Sequence, residues 1–72
     1  MRILVVEDQQ KTSQFLKRGF GEVGYSVDIA ESGSAAESYL ASNEYDLVIL
    51  DVMLPDQSGI DTARHILRDG YL

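Results

Sequence analysis

The chain has no cysteine, no tryptophan and a single proline, and only half as many basic as acidic side chains. Each shortage excludes something. Without cysteine there is no disulfide framework and no thiolate metal site, and the absence fits a reducing, cytoplasmic location. Six Lys and Arg against twelve Asp and Glu leave a net charge of −6, the wrong sign for direct contact with a nucleic-acid backbone. No apolar run approaches the roughly 18 residues that suggest a membrane span. The opening run Ile3-Leu4-Val5-Val6 meets Glu7-Asp8 too early for a signal peptide. Internal repeats, linkers and low-complexity tracts are also missing.

What is present is an ordinary globular composition, 44% hydrophobic and 25% charged, which argues against disorder. A chain of 72 residues builds a small core, burying only roughly 60% of its unfolded surface. Domains most often run to about 100–150 residues, so one domain, or part of one, is expected.

The hydrophobic pattern predicts β-α-β-α-β-α. Arg2–Val6 reads as a strand buried on both faces, followed by a helix over residues 10–22 with an apolar stripe of Phe15, Leu16, Phe20 and Val23. In Tyr25–Ala30 apolar and polar residues alternate, which implies one buried face and an edge position. Ser34-Ala35-Ala36-Glu37 matches a capping box and starts a second helix, with Ala36, Tyr39 and Leu40 toward the sheet. Asp46–Leu50 is a third strand, apolar after its first residue. Ser58-Gly59-Ile60-Asp61 is a second capping-box match; it opens a helix with a stripe of Ile60, Ala63, Ile66 and Leu67, ended by Gly70. This alternation specifies an α/β fold, a three-stranded parallel sheet flanked by helices with right-handed crossovers. With strand one central and strand two at an edge, the strand order is 2-1-3.

That order has a chemical consequence. Strands one and three lie side by side, and Glu7, Asp8 and Asp51 meet at their carboxyl ends, the edge at which open α/β sheets bind ligands. Carboxylates crowded together repel one another, and a cation relieves the repulsion. A Mg²⁺ site with one carboxylate left for chemistry is the first expectation. Taken singly, Asp51 could also be a turn-capping strand end, and Asp8 the N-cap of the first helix.

Ile3-Leu4-Val5-Val6-Glu7-Asp8, Tyr45-Asp46-Leu47-Val48-Ile49-Leu50-Asp51-Val52-Met53-Leu54-Pro55 and Ser58-Gly59 together resemble the receiver domain of bacterial two-component response regulators. The Glu-Asp pair and the Asp-Val-Met-Leu-Pro run look like the subfamily joined to a winged-helix DNA-binding domain. The resemblance implies a truncated flavodoxin-like fold, with residues 1–72 as a partial receiver domain. It implies that Asp51 is the phosphoacceptor, served by a histidine kinase. It also implies that Asp8, Asp51 and the Met53 backbone carbonyl ligate Mg²⁺, with Glu7 acting through water. A complete receiver adds two strands and two helices, carrying a Ser or Thr and a Lys that contact the phosphoryl group; neither can be assigned to a position here.

Other features carry less. Gly19-Phe20-Gly21-Glu22-Val23-Gly24 matches G-x-G-x-x-G, but it closes a helix and precedes a strand, the reverse of a dinucleotide-binding loop. His65 reads as an exposed helical residue without a role, and the four tyrosines as packing. Met53 stands where an aspartate-based phosphatase would carry a second Asp. The chain is therefore read as a phosphoacceptor and not as an enzyme with its own substrate. The alternative is a non-phosphorylatable half-receiver that serves as a self-associating structural module. A bare strand-three edge and an uncovered sheet face make a homodimer the expected assembly.

Overall fold

The computed structural model describes residues 1–72. It contains β1 (Arg2–Val6), α1 (Gln10–Glu22), β2 (Ser26–Ala30), α2 (Gly33–Ser42), β3 (Leu47–Leu50) and α3 (Gly59–Arg68). The strands form one parallel sheet in the order β2-β1-β3, as the hydrophobic pattern predicts. Val6 pairs with Ala30 on one side and with Leu50 on the other, so all three strands end level.

β1 is central because Ile3, Leu4, Val5 and Val6 are apolar on both faces, and all four are fully buried. Each such side chain contributes about 1.5–3 kcal/mol relative to an exposed one. Alternation sends Leu4 and Val6 to one face, with Ala30, Ala36, Leu40, Tyr45 and Ile66. Ile3 and Val5 go to the other, with Val27 and, from α1, Leu16 and Phe20. Helices α2 and α3 therefore share one face of the sheet and α1 covers the other.

Two helices stop in the same way. Gly24 and Gly70 both have positive φ, the left-handed conformation glycine adopts without strain. The Tyr25 N–H reaches back to the Phe20 carbonyl, and the Tyr71 N–H to that of Ile66. Both are Schellman closures. In the first, the Phe20 and Tyr25 rings stack with centroids 6.3 Å apart. The Gly19–Gly24 pattern is thus a helix ending.

The structure corrects several boundaries and faces. β2 begins at Ser26, because Tyr25 belongs to the α1 closure. β2 is also engaged on both faces: opposite Val27, the Asp28 carboxylate accepts the Tyr45 hydroxyl at 2.6 Å and Arg2 at 3.0 Å. β3 begins at Leu47, because Asp46 instead bonds Arg2 from both its amide and its carboxylate. The N-cap of α2 is Ser32, whose hydroxyl accepts the Ala35 N–H at 3.1 Å, and not Ser34; Tyr39 is exposed. α1 meets the sheet through Ser13, Leu16 and Phe20, leaving Phe15 and Val23 outside. α3 starts after Ser58 as expected, but it buries Gly59, Thr62 and Ile66 while Ile60 and Leu67 face out. Its rotation is set at Gly59, where a Cβ would overlap the Asp51 carbonyl oxygen.

Candidate functional site

The site is built by the register of β1 and β3. The Asp51 N–H donates to the Val6 carbonyl and the Glu7 N–H to that of Ala30, both at 2.9 Å. These two bonds carry the sheet ladder one step past the last strand residues and hold both acids at the carboxyl edge. Asp8 follows as the chain turns toward α1. Carboxylate oxygens of Glu7, Asp8 and Asp51 all lie within 4.8 Å of one another. The three residues singled out from sequence are therefore brought together.

Asp8 is exposed, while Glu7 and Asp51 are half-buried. None of the three takes part in the ion pairs within the chain. The N-cap of α1 is Gln9, without a side-chain cap, so Asp8 does not cap the helix. The Glu7 carboxylate instead accepts the Gln9 N–H at 3.3 Å. The Glu7 pKa is raised, first by burial and then by the neighbouring Asp51 and Asp8 carboxyls, against the opposing pull of the Gln9 amide. Crowded acids without a basic partner are the donor chemistry that a hard divalent cation takes.

The connection from Asp51 to α3 is folded back on itself. The Met53 N–H donates to the Asp51 carboxylate at 3.1 Å, Met53 and Ser58 form an antiparallel bridge, and the Gly59 N–H reaches the Val52 carbonyl at 2.8 Å. The Met53 side chain is 81% exposed and its thioether is a soft donor that a hard cation does not take, so the backbone carbonyl is the Met53 group that suits the site.

Sequence reasoning missed the residues that fasten this loop to α2. The Asp56 carboxylate accepts the Gly33 N–H at 2.8 Å and the Ser34 N–H at 2.9 Å. These contacts hold its pKa below the usual carboxylate range. Gln57 donates to Thr62 at 2.6 Å and to Glu37 at 3.4 Å. Glu37 also meets His65 Nδ1 at 2.9 Å, so His65 is a half-buried link between α2 and α3 and not an exposed bystander. Capping by a residue more than twenty positions away leaves no local pattern, and only the exposed acid at the Pro55-Asp56 turn marked the position.

This arrangement agrees with the relationships of the chain. Residues 3–71 match the model of the response regulator receiver domain. The chain is 44% identical over 64 residues to the transcriptional regulatory protein CusR of Escherichia coli (strain K12), covering 89% of this chain and 28% of CusR. It is 48% identical over 68 residues to the transcriptional activator protein IrlR of Burkholderia pseudomallei (strain 1026b), covering 94% of this chain and 30% of IrlR. The chain thus spans less than a third of the length of these relatives. Among solved structures, the response regulator TrrA of Thermotoga maritima, in complex with Mg²⁺ and BeF, superimposes with a TM-score of 0.90 at 43% identity, over 94% of this chain and 59% of TrrA. Receiver domains bind Mg²⁺ at an acidic pocket of this kind, and the chain belongs to the response regulator receiver domain family.

Proposed function

We propose that residues 1–72 are the amino-terminal portion of a receiver domain that accepts a phosphoryl group on Asp51 from a phosphohistidine of a histidine kinase. The observation that carries this reading is the juxtaposition of Asp51 with Glu7 and Asp8 at the end of the sheet. In the step itself, an Asp51 carboxylate oxygen bonds to phosphorus. The P–N bond to the donor imidazole breaks, and the nitrogen keeps the electron pair. Phosphoryl transfer of this kind depends on positioning and charge neutralisation. The chain positions the acceptor through the Asp51–Val6 backbone bond and orients its carboxylate through the Met53 N–H.

The donor set suits Mg²⁺. Asp8, Asp51 and the Met53 carbonyl would hold it directly and Glu7 through water. When bound, the ion offsets the negative charge that builds up between acceptor and phosphoryl oxygens. The purely oxygen character of the set favours a hard cation, since no His or Cys lies among the three clustered acids.

The partners follow from the same reading. The phosphodonor is a kinase histidine, which puts the exchange in the cytoplasm; no helix of this protein is long and apolar enough to cross a membrane. Within residues 1–72 the outer edge of β3 is unpaired, which supports a homodimer through that edge or through the uncovered sheet face. With a net charge of −6, this segment does not supply contact to DNA, and a transcriptional output would lie outside residues 1–72. The chain acts as a phosphoacceptor that assists its own modification and does not turn over a separate substrate.

The test is intact-mass analysis after incubation with acetyl phosphate and Mg²⁺, with Asp51→Asn as control. One phosphoryl adduct on the wild type and none on the variant is expected. No adduct on a folded wild-type chain would overturn the reading.

A further inference from the structure

We propose that Asp56 is a positioning residue for the acidic centre, latching the loop that carries Asp51 and Met53 onto the amino-terminal turn of α2. The inference rests on the phosphoacceptor reading and extends it to a residue outside the acid cluster.

The loop between β3 and α3 is anchored at its base. Asp51 is tied to Val6, and Val52 to Gly59. Its tip, Pro55-Asp56-Gln57, belongs to no strand or helix. What holds it there is α2. The two Asp56 carboxylate oxygens take the Gly33 and Ser34 N–H groups, one each. These are among the first amides of α2, which have no partner inside the helix, and Ser32 satisfies the next one, at Ala35. An acid suits this position for a second reason, since the amino end of a helix carries partial positive charge.

The contact is also shaped by what is absent. Gly33 is buried, and a Cβ there would overlap the Gln57 side chain. The glycine lets two consecutive loop residues straddle the start of the helix: Asp56 caps it from the end, and Gln57 passes over Gly33 to reach Glu37 and Thr62. Gln57 alone would leave the tip hinged on one neutral side chain. Asp56 adds two charge-assisted bonds, the stronger kind, which fasten the loop between Met53 and Ser58 to the start of α2. Met53 is bridged to Ser58 at the base of the loop, and the latch adds a second hold on the segment between them from α2, an element that contributes no atom to the acidic cluster.

The experiment compares wild type with Asp56→Ala and Asp56→Asn. Mg²⁺ affinity is measured by calorimetry, and amide hydrogen exchange at Gly33, Ser34 and Met53 is measured without metal. Loss of a group hydrogen-bonded to a metal ligand costs about 10–100-fold in affinity; Asp56 bonds Gly33 and Ser34 and acts one step further out, so no more than the lower end, about tenfold, is expected for Asp56→Ala. Asp56→Asn keeps one acceptor and should fall between wild type and Asp56→Ala. Exchange at Met53 should quicken in the same order. Mg²⁺ binding within twofold of wild type, with exchange accelerated at Gly33 and Ser34 but not at Met53, would reduce Asp56 to a helix cap and overturn the proposal. If Asp56→Ala fails to fold, Asp56→Asn carries the same comparison. A folded wild type that binds no Mg²⁺ would instead overturn the phosphoacceptor reading and this inference with it.

Discussion

Two single residues show how closely the site and the fold are bound together. Gly59 lies where α3 comes up against the Asp51 backbone, and any side chain there would displace the strand end that carries the acceptor. Gly59→Ala is expected to cost about 1–3 kcal/mol, the usual range for overpacking, read as a lowered urea midpoint. Its phosphoryl adduct should also form more slowly than that of the wild type. At the opposite end of the sheet, Tyr45 is buried and donates to Asp28. That bond is the largest cause of a lowered Asp28 pKa, and Arg2 adds to it. Burial and the same bond push the Tyr45 hydroxyl up. A carboxylate whose folded pKa lies below its unfolded value, about 3.9, contributes stability that is fully present above that value. The contribution is lost as pH falls through the lower, folded pKa. Tyr45→Phe should therefore lose about 1–2 kcal/mol at neutral pH. The gap to wild type should narrow as unfolding is followed from pH 5 downward; a gap constant down to pH 2 would rule out the Asp28 linkage.

At the scale of elements, orientation was harder to foresee than existence. Every strand and helix, the order 2-1-3 and the meeting of Glu7, Asp8 and Asp51 were legible in the sequence, because the strands differ in kind. β1 is apolar on both faces, and the acids follow directly on apolar runs. Helix faces were not legible, because their rotation is decided by close approaches that hydrophobic spacing does not encode. In α3, Gly59 and Thr62 sit inward and Ile60 and Leu67 outward; in α1, small Ser13 lies against the sheet and Phe15 is 76% exposed. The α2 start was misread for a similar reason, since the Ser34–Glu37 spacing mimics a cap while Ser32 makes the real one and Glu37 turns to His65. The outcome is measurable by denaturation. Ile66→Ala should cost about 2–5 kcal/mol, as removal of a buried aliphatic does, whereas Phe15→Ala should stay within about 0.5 kcal/mol of wild type. A loss of several kcal/mol from Phe15→Ala would mean that α1 is rotated from the position described.

At the scale of the whole molecule, the balance of covered and uncovered surface bears on assembly. β1 is flanked on both sides, but β2 and β3 each keep one free edge. The β2 edge carries Asp28, already committed to Arg2 and Tyr45, and polar Ser26. β3 is Leu-Val-Ile-Leu, half-buried at best, with Leu47 40% exposed. An apolar edge strand without a charge or proline is the kind that pairs with another chain. Pairing β3 with its counterpart in a second copy would satisfy its free backbone groups and extend the sheet. Light scattering should then report about twice the 8.0 kDa mass of one chain as concentration rises. Leu47→Lys places a charge on the edge at a position already open to water, so it should return the protein to monomer with little change in unfolding midpoint. A monomer at every concentration, with a radius of gyration near the 11.4 Å of the isolated chain, would show that the β3 edge does not pair with itself and would remove the homodimer from the proposed function while leaving the acceptor chemistry of Asp51 untouched.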